Sequence, residues 1–137
     1  MRSVNVSKYM LKRPVVVTPD TELFRAIEQI LVYKISGVTV INERHHPVGM
    51  LSELDCLRAI VKESYHQEEI GTHLVKDHMT EGVECIQDSE DVFEVAESML
   101  DHKHRRRPIL NDHGEMVGQL TCRQLLRAIK DFDLPPK

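Results

Sequence analysis

The stretch VGMLSELDCLRAI, Val48 to Ile60, returns 69 residues later as VGQLTCRQLLRAI, Val117 to Ile129, and both versions close on the same tetrapeptide, Leu57-Arg58-Ala59-Ile60 and Leu126-Arg127-Ala128-Ile129. Carried outward at that offset, with no gap, the match takes in Met10 with Met79, Phe24 with Phe93, Glu28 with Glu97, Leu31 with Leu100, Lys34 with Lys103 and Asn42 with Asn111. A fixed period of tens of residues marks one structural unit built more than once. The chain therefore reads as two copies of a single motif.

Each copy has the same local pattern. A β-branched run, Val15-Val16-Val17 or the weaker Glu84-Cys85-Ile86, predicts a short strand, and the polar turn after it offers Asp20 or Ser89 as a helix N-cap. Apolar residues then fall at helical spacing, Leu23, Ile27, Ile30 and Leu31 in one copy and Val92, Ala96, Met99 and Leu100 in the other. Two further strands follow, Val38 to Ile41 with Pro47 to Leu51 and Pro108 to Leu110 with Met116 to Leu120, each pair joined by a polar loop that reads as a hairpin. A second helix, from Ser52 or Thr121 onward, closes the unit.

The expected fold class is α/β (α+β): two β-α-β-β-α motifs, 1–64 and 75–137, around a linker at 65–74. Each motif is too small to cover both faces of its own sheet, so the copies are expected to pack through their sheets about a pseudo-twofold axis. The segment from His66 to His78 reads as a polar linker ending in one or two turns that lead into the second copy.

Composition narrows the function classes. In 137 residues, 41% are hydrophobic, 29% are charged and the net charge is −4, so no global basic excess draws the chain to nucleic acid or anionic lipid. Apolar runs are only a few residues long and no export signal is visible, which points to the cytoplasm and away from a membrane partner. Cys56, Cys85 and Cys122 stand far apart and read as reduced, mostly buried residues rather than as a disulfide framework or zinc ligands. No metal site is assigned, since His45-His46 and His102/His104 lack accompanying thiolates and i, i+4 spacing. No catalytic residue is assigned either, for the chain has no Gly-rich phosphate loop, nucleophile elbow or zinc-protease helix motif.

The spacing Gly49-x-x-Ser52-x-x-Asp55 supports two readings. Ser followed by an acid three residues later is a capping box. The same residues suit a ligand. Ser52 stands where a strand hands over to a helix, whose first amides and the hydroxyl favour an anion, while Asp55 on the same helical side offers two acceptor oxygens to a ribose diol. Gly49 admits a ligand or a facing backbone at close range. In the second copy Gly118 and Thr121 remain, but Gln124 replaces the acid and gives up charge-assisted bonds.

The segments YMLKRPVVVTPDTELFRAI and HMTEGVECIQDSEDVFEVA, ISGVTVIN and HRRRPILND, and the two VG…LRAI stretches resemble, in order and spacing, a tandem pair of CBS domains, the regulatory motif named after cystathionine beta-synthase. The resemblance implies a stand-alone sensor of an adenosine-containing ligand (AMP, ADP, ATP or S-adenosylmethionine), with no cofactor required, often paired into a homodimer and signalling to an effector protein. It implies an adenine near Val16, Thr18 and the strand Val38-Thr39-Val40, the ribose at Ser52 and Asp55, and phosphate contacts from the basic run that includes Arg106 and Arg107 ahead of Pro108; the second copy, which keeps Thr121 but not the acid, is expected to hold a poor or repurposed site beside this good one. Two other readings stand beside it: a ligand-free dimerisation or scaffold module, and a nucleic-acid binder using Arg105 to Arg107, against which the 4% aromatic content counts.

Overall fold

In the computed structural model, which describes residues 4–66 and 73–132, the order of elements is the one the repeat predicts. The first copy holds β1 (Val16–Val17), α1 (Leu23–Tyr33), β2 (Gly37–Ile41), β3 (Pro47–Ser52) and α2 (Glu53–His66). The second holds β4 (Ile86–Gln87), α3 (Val92–His102), β5 (Arg106–Leu110), β6 (Met116–Thr121) and α4 (Cys122–Phe132). Each copy forms a three-stranded sheet with the crossover-connected strand parallel to the middle one and the hairpin partner antiparallel, in the orders β1-β2-β3 and β4-β5-β6.

The loops repeat down to single dihedrals. Asn42 and Asn111 each accept two backbone N–H bonds within their hairpin loops, from Arg44 and His46 and from His113 and Glu115. His45 (φ 65°) and Gly114 (φ 77°) make the same left-handed turn, and Lys34 (φ 54°) and Lys103 (φ 57°) end α1 and α3 in the same left-handed cap. Two expected N-caps are displaced. The residue before α1 is Glu22, and Asp20 instead pairs with Lys76 at 3.1 Å; α3 is capped by Asp91, not Ser89, its carboxylate accepting from the amides of Phe93 and Glu94. The cap after each short strand stands two residues later than the pattern suggested, and the start of each helix is also tied to a second piece of chain.

That second piece changes the packing units. The first unit comprises Val15–Val83, and the second comprises the chain up to Pro14 together with the chain from Glu84 onward. In the first unit, Val75 of the short 3-10 turn Val75–Asp77 is fully buried. Its amide donates to Thr21 O at 2.8 Å, the Leu23 amide donates to His73 O at 3.0 Å, and Met50 and Thr80 exchange two backbone bonds at 2.9 and 2.8 Å. In the second unit Val6 takes the same place: its amide donates to Glu90 O at 2.9 Å, Val92 donates to Val4 O at 2.8 Å, and Leu11 exchanges bonds with Gln119. The turn expected to lead into the second copy therefore completes the first. Residues 67–72 of the expected linker lie outside the described residues.

Each unit has its own core. Val17, Leu23, Ala26, Ile30, Val38, Val40, Leu51, Cys56, Ala59 and Val75 close the first, and Val6, Ile86, Val92, Val95, Met99, Ile109, Leu120, Leu125 and Ala128 are among those that close the second. Because strand side chains alternate, Val38 and Val40 enter the helix-facing core, while Thr39, with its register partners Val16 and Met50, lies on the opposite sheet face. Cys56 is buried as expected, Cys85 is half-buried, and Cys122, at the exposed start of α4, departs from that expectation; all three are free thiols. Among the described residues, no helix is long and apolar enough to cross a membrane.

Candidate functional site

Ser52 ends β3 and Asp55 lies in the first turn of α2, so the strand-to-helix junction sets their spacing. The two residues form a reciprocal capping box. The Ser52 amide donates to Asp55 Oδ2 at 2.9 Å, and the Asp55 amide donates to Ser52 Oγ at 3.1 Å. Asp55 Oδ1 accepts from Arg58 Nη1 at 3.1 Å. The carboxylate side chain is only 8% exposed, whereas that of Arg58 is 71% exposed. An ionised carboxylate has about four lone-pair sites, and these two bonds occupy two of them. The acid is thus fixed in position and still able to accept.

The junction is a poor seat for an anion, contrary to the reading of its amides as an open cradle. The Glu53 amide already donates to Ser36 O at 2.9 Å, the Asp55 amide is held by Ser52, and the carboxylate itself repels negative charge. A neutral diol suits this geometry better. Gly49 is explained by a neighbour rather than by an open approach: a Cβ there would stand 2.6 Å from Met79 Sδ and 3.2 Å from Thr80 O, which belong to the bridge that covers β3. Gly118 meets Met10 and Leu11 in the same way. The matched methionines of the repeat are the packing partners of the matched glycines.

Of the expected base-binding residues, the first unit brings Val16 and Thr39 to the sheet face away from the helices, with Thr18 exposed at the end of β1. Thr39 is fully buried, and among the described residues its hydroxyl meets the weakly accepting Met50 Sδ, at 3.4 Å. Val38 and Val40 contribute core side chains instead. Their strand is the middle one of three, so it presents no free edge for a base.

The second unit repeats the methionine over its glycine and the amide-to-side-chain cap but differs at the acid. Thr121 gives both its amide, at 2.9 Å, and its hydroxyl to Gln124 Oε1, and no carboxylate is present. Arg107 is 5% exposed and turned inward: Nε donates to His104 Nδ1 at 3.0 Å, Nη1 to Ser98 Oγ at 2.9 Å and Nη2 to Ser98 O at 3.4 Å. It braces the end of α3. Arg106 is half-buried, and Pro108 is buried in β5 opposite Gln119.

Burial, the Arg107 charge and His102 hold the His104 imidazole below its usual pKa, in keeping with an Nδ1 that accepts a hydrogen bond. Burial, then Asp55 and Glu53, pushes the Cys56 thiol up to about 11, which leaves it unreactive. One feature near Asp55 escaped the sequence reading. His73 Nδ1 and His78 Nε2 lie 2.6 Å apart with the rings stacked at 4.8 Å, and His78 is held below its usual pKa by burial and by His73. Arg58 was missed as well, although its i, i+3 spacing from Asp55 is a readable signal. Among the described residues, no cluster of three or more metal-ligating side chains is present.

The family model for the CBS domain matches residues 6–62 and 75–131. An uncharacterized protein of Methanopyrus kandleri, MK0525, is 25% identical over 93% of this chain and 64% of its own length. Inosine-5'-monophosphate dehydrogenase of Methanocaldococcus jannaschii is 31% identical over 88% of this chain but only 23% of its own. The chain thus spans less than two thirds of either relative. Among solved structures, the CBS-pair protein CBSX2 from Arabidopsis thaliana superposes with a TM-score of 0.86 at 26% identity, covering 98% of this chain and all of the other (100%). A structure of CBSX2 in complex with AMP gives 0.82 at 29% identity, covering 93% and 97%.

Proposed function

The chain belongs to the CBS domain family, and from that premise we propose that it is a regulatory rather than a catalytic module, which binds an adenosine-containing ligand and passes its occupancy to a partner protein. The observation that carries this reading is Asp55: a buried carboxylate, fixed by its cap and by Arg58, with acceptor sites left over for the two hydroxyls of a ribose. The AMP complex of CBSX2, similar over nearly the whole chain, supports the choice of ligand class. In this reading Ser52 and Asp55 hold the sugar beside Gly49, and Val16, Thr18 and Thr39 supply the surroundings of the base. Arg107 is structural and Thr121 anchors no ribose. The ligand acts by linkage, favouring one arrangement of the chain or of a homodimer that the effector distinguishes. Three free thiols agree with a reducing, cytoplasmic setting.

A complete capping box also fits the second reading, a ligand-free dimerisation module. Calorimetry with AMP, ADP, ATP and S-adenosylmethionine separates the two. Saturable binding of at least one of them supports the sensor, and absence of heat and of competition with all four refutes it.

A further inference from the structure

The return stretch that closes the first unit carries two imidazoles that its counterpart in the second unit lacks. His73 Nδ1 and His78 Nε2 stand 2.6 Å apart, a hydrogen-bond distance, with the ring planes within 9° of each other. At the repeat offset the two places hold Val4 and Tyr9, and Tyr9 gives its hydroxyl to Asp131 at 3.0 Å instead. Both units otherwise tie this stretch down alike, through a buried valine (Val75 or Val6) and backbone bonds to the start of a helix and to a strand. The histidine pair is an addition to one unit, since the other folds the same stretch without it.

The pair sits between two attachments. His73 O accepts from the Leu23 amide at 3.0 Å at the start of α1. His78 leads directly into Met79, which lies over Gly49, and into Thr80, which exchanges backbone bonds with Met50 of β3. The side-chain bond therefore closes the 3-10 turn Val75–Asp77, with its buried Val75, between the helix contact and the strand contact.

Proton number decides whether that bond can exist. Two imidazoles joined by a hydrogen bond need one N–H and one bare nitrogen between them. A neutral pair meets this need, and a pair with one extra proton meets it with a charge-assisted bond. With two extra protons, N–H faces N–H at 2.6 Å between two cations, and the bond is lost. Burial, then the charge of His73, holds His78 below its usual pKa; Asp77 on the turn and Asp55 of α2 pull the other way, and Lys62 of α2 adds to the opposition. Glu22, whose backbone bridges to Leu74, and the Asp20–Lys76 ion pair are the charges where the turn meets the start of α1.

We infer that His73 and His78 form a proton-operated clasp on the first unit alone: with up to one extra proton the pair holds the stretch from His73 to Thr80 closed on α1 and β3, and a second proton opens that stretch while the second unit stays closed. Opening comes on acidification below the ordinary imidazole value of about 6.5. The clasp needs no nucleotide, so it stands or falls apart from the proposed function.

Hydrogen exchange of the full chain, followed amide by amide from about pH 7.5 to about pH 5 and corrected for intrinsic exchange rates, tests it. In the parent chain, protection of the Leu23, Val75 and Thr80 amides falls about tenfold or more over that range, while their counterparts Val92, Val6 and Leu11 hold theirs within about threefold. This comparison of one unit with the other needs no variant. His73→Gln and, independently, His78→Gln leave a single imidazole that gains its proton without facing another, and each removes the difference between the units; circular dichroism at neutral pH confirms that both are folded. Protection of the first unit that persists to the acid limit, an equal loss in both units, or an acid loss confined to the first unit that survives in either variant overturns the inference.

Discussion

Neutralising Asp55 without removing its cap is the sharpest perturbation of the site. In Asp55→Asn the amide oxygen still accepts from the Ser52 amide, now 2.9 Å from Oδ2, while the NH2 group that replaces Oδ1 cannot accept from Arg58, whose side chain is 71% exposed and turns to solvent at small cost. The fold therefore loses about 1 kcal/mol at most, within the range of an exposed ion pair and a weakened cap. Ligand binding loses more. A hydrogen bond to a charged acceptor contributes about 1.5–3 kcal/mol and a neutral one about 0.5–1.5 kcal/mol, so two ribose hydroxyls held by the carboxylate lose about 2–3 kcal/mol together. That is roughly a 30- to 150-fold rise in the AMP dissociation constant. Titration calorimetry at neutral pH measures the affinity, and urea unfolding without ligand measures the stability. If AMP binds the parent chain and binds Asp55→Asn within about threefold as well, Asp55 is a cap alone and the assignment of the ribose fails. A Gln124→Ala control at the equivalent place in the second unit leaves the affinity unchanged.

Gly49→Ala puts a Cβ 2.6 Å from Met79 Sδ, and overpacking of that kind lowers stability by about 1–3 kcal/mol; adding Met79→Ala recovers part of it, a coupling that a double-mutant cycle in urea reads directly. Arg107→Met leaves the Ser98 hydroxyl and His104 Nδ1 without their donor partners and lowers stability by about 1–3 kcal/mol with AMP affinity unchanged, so a selective loss of affinity in that variant returns Arg107 to the ligand site. His78 and His104 are both held below the usual imidazole pKa, so the unfolded chain binds their protons first. Their contribution is present above the ordinary value of about 6.5 and is lost as pH falls through the depressed folded values. The melting temperature accordingly drops on acidification from neutral pH, and the His78→Gln/His104→Gln double variant drops less steeply; an equal slope in both removes the two imidazoles as the cause.

Much of this protein is legible from the chain alone. The offset of 69 residues carries the element order, the hairpin loops at Asn42 and Asn111, and the different chemistry of the two strand-to-helix junctions, because turns, caps and helical spacing are decided by residues only a few positions apart. Residue type also announces that Ser52 and Asp55 act together. Which partner satisfies each polar atom is another matter, since it depends on segments distant in sequence. Met79 comes to lie over Gly49 only because the stretch around residue 80 returns to β3, and even Arg107, nine positions from Ser98 and three from His104, meets them only because β5 turns back beside the end of α3. The same return places Val75 in the core of the first copy, although local sequence reads it as the lead-in to the second. Local grammar names the elements, whereas burial and long-range hydrogen bonding, which reward contacts wherever the chain can make them, choose their neighbours.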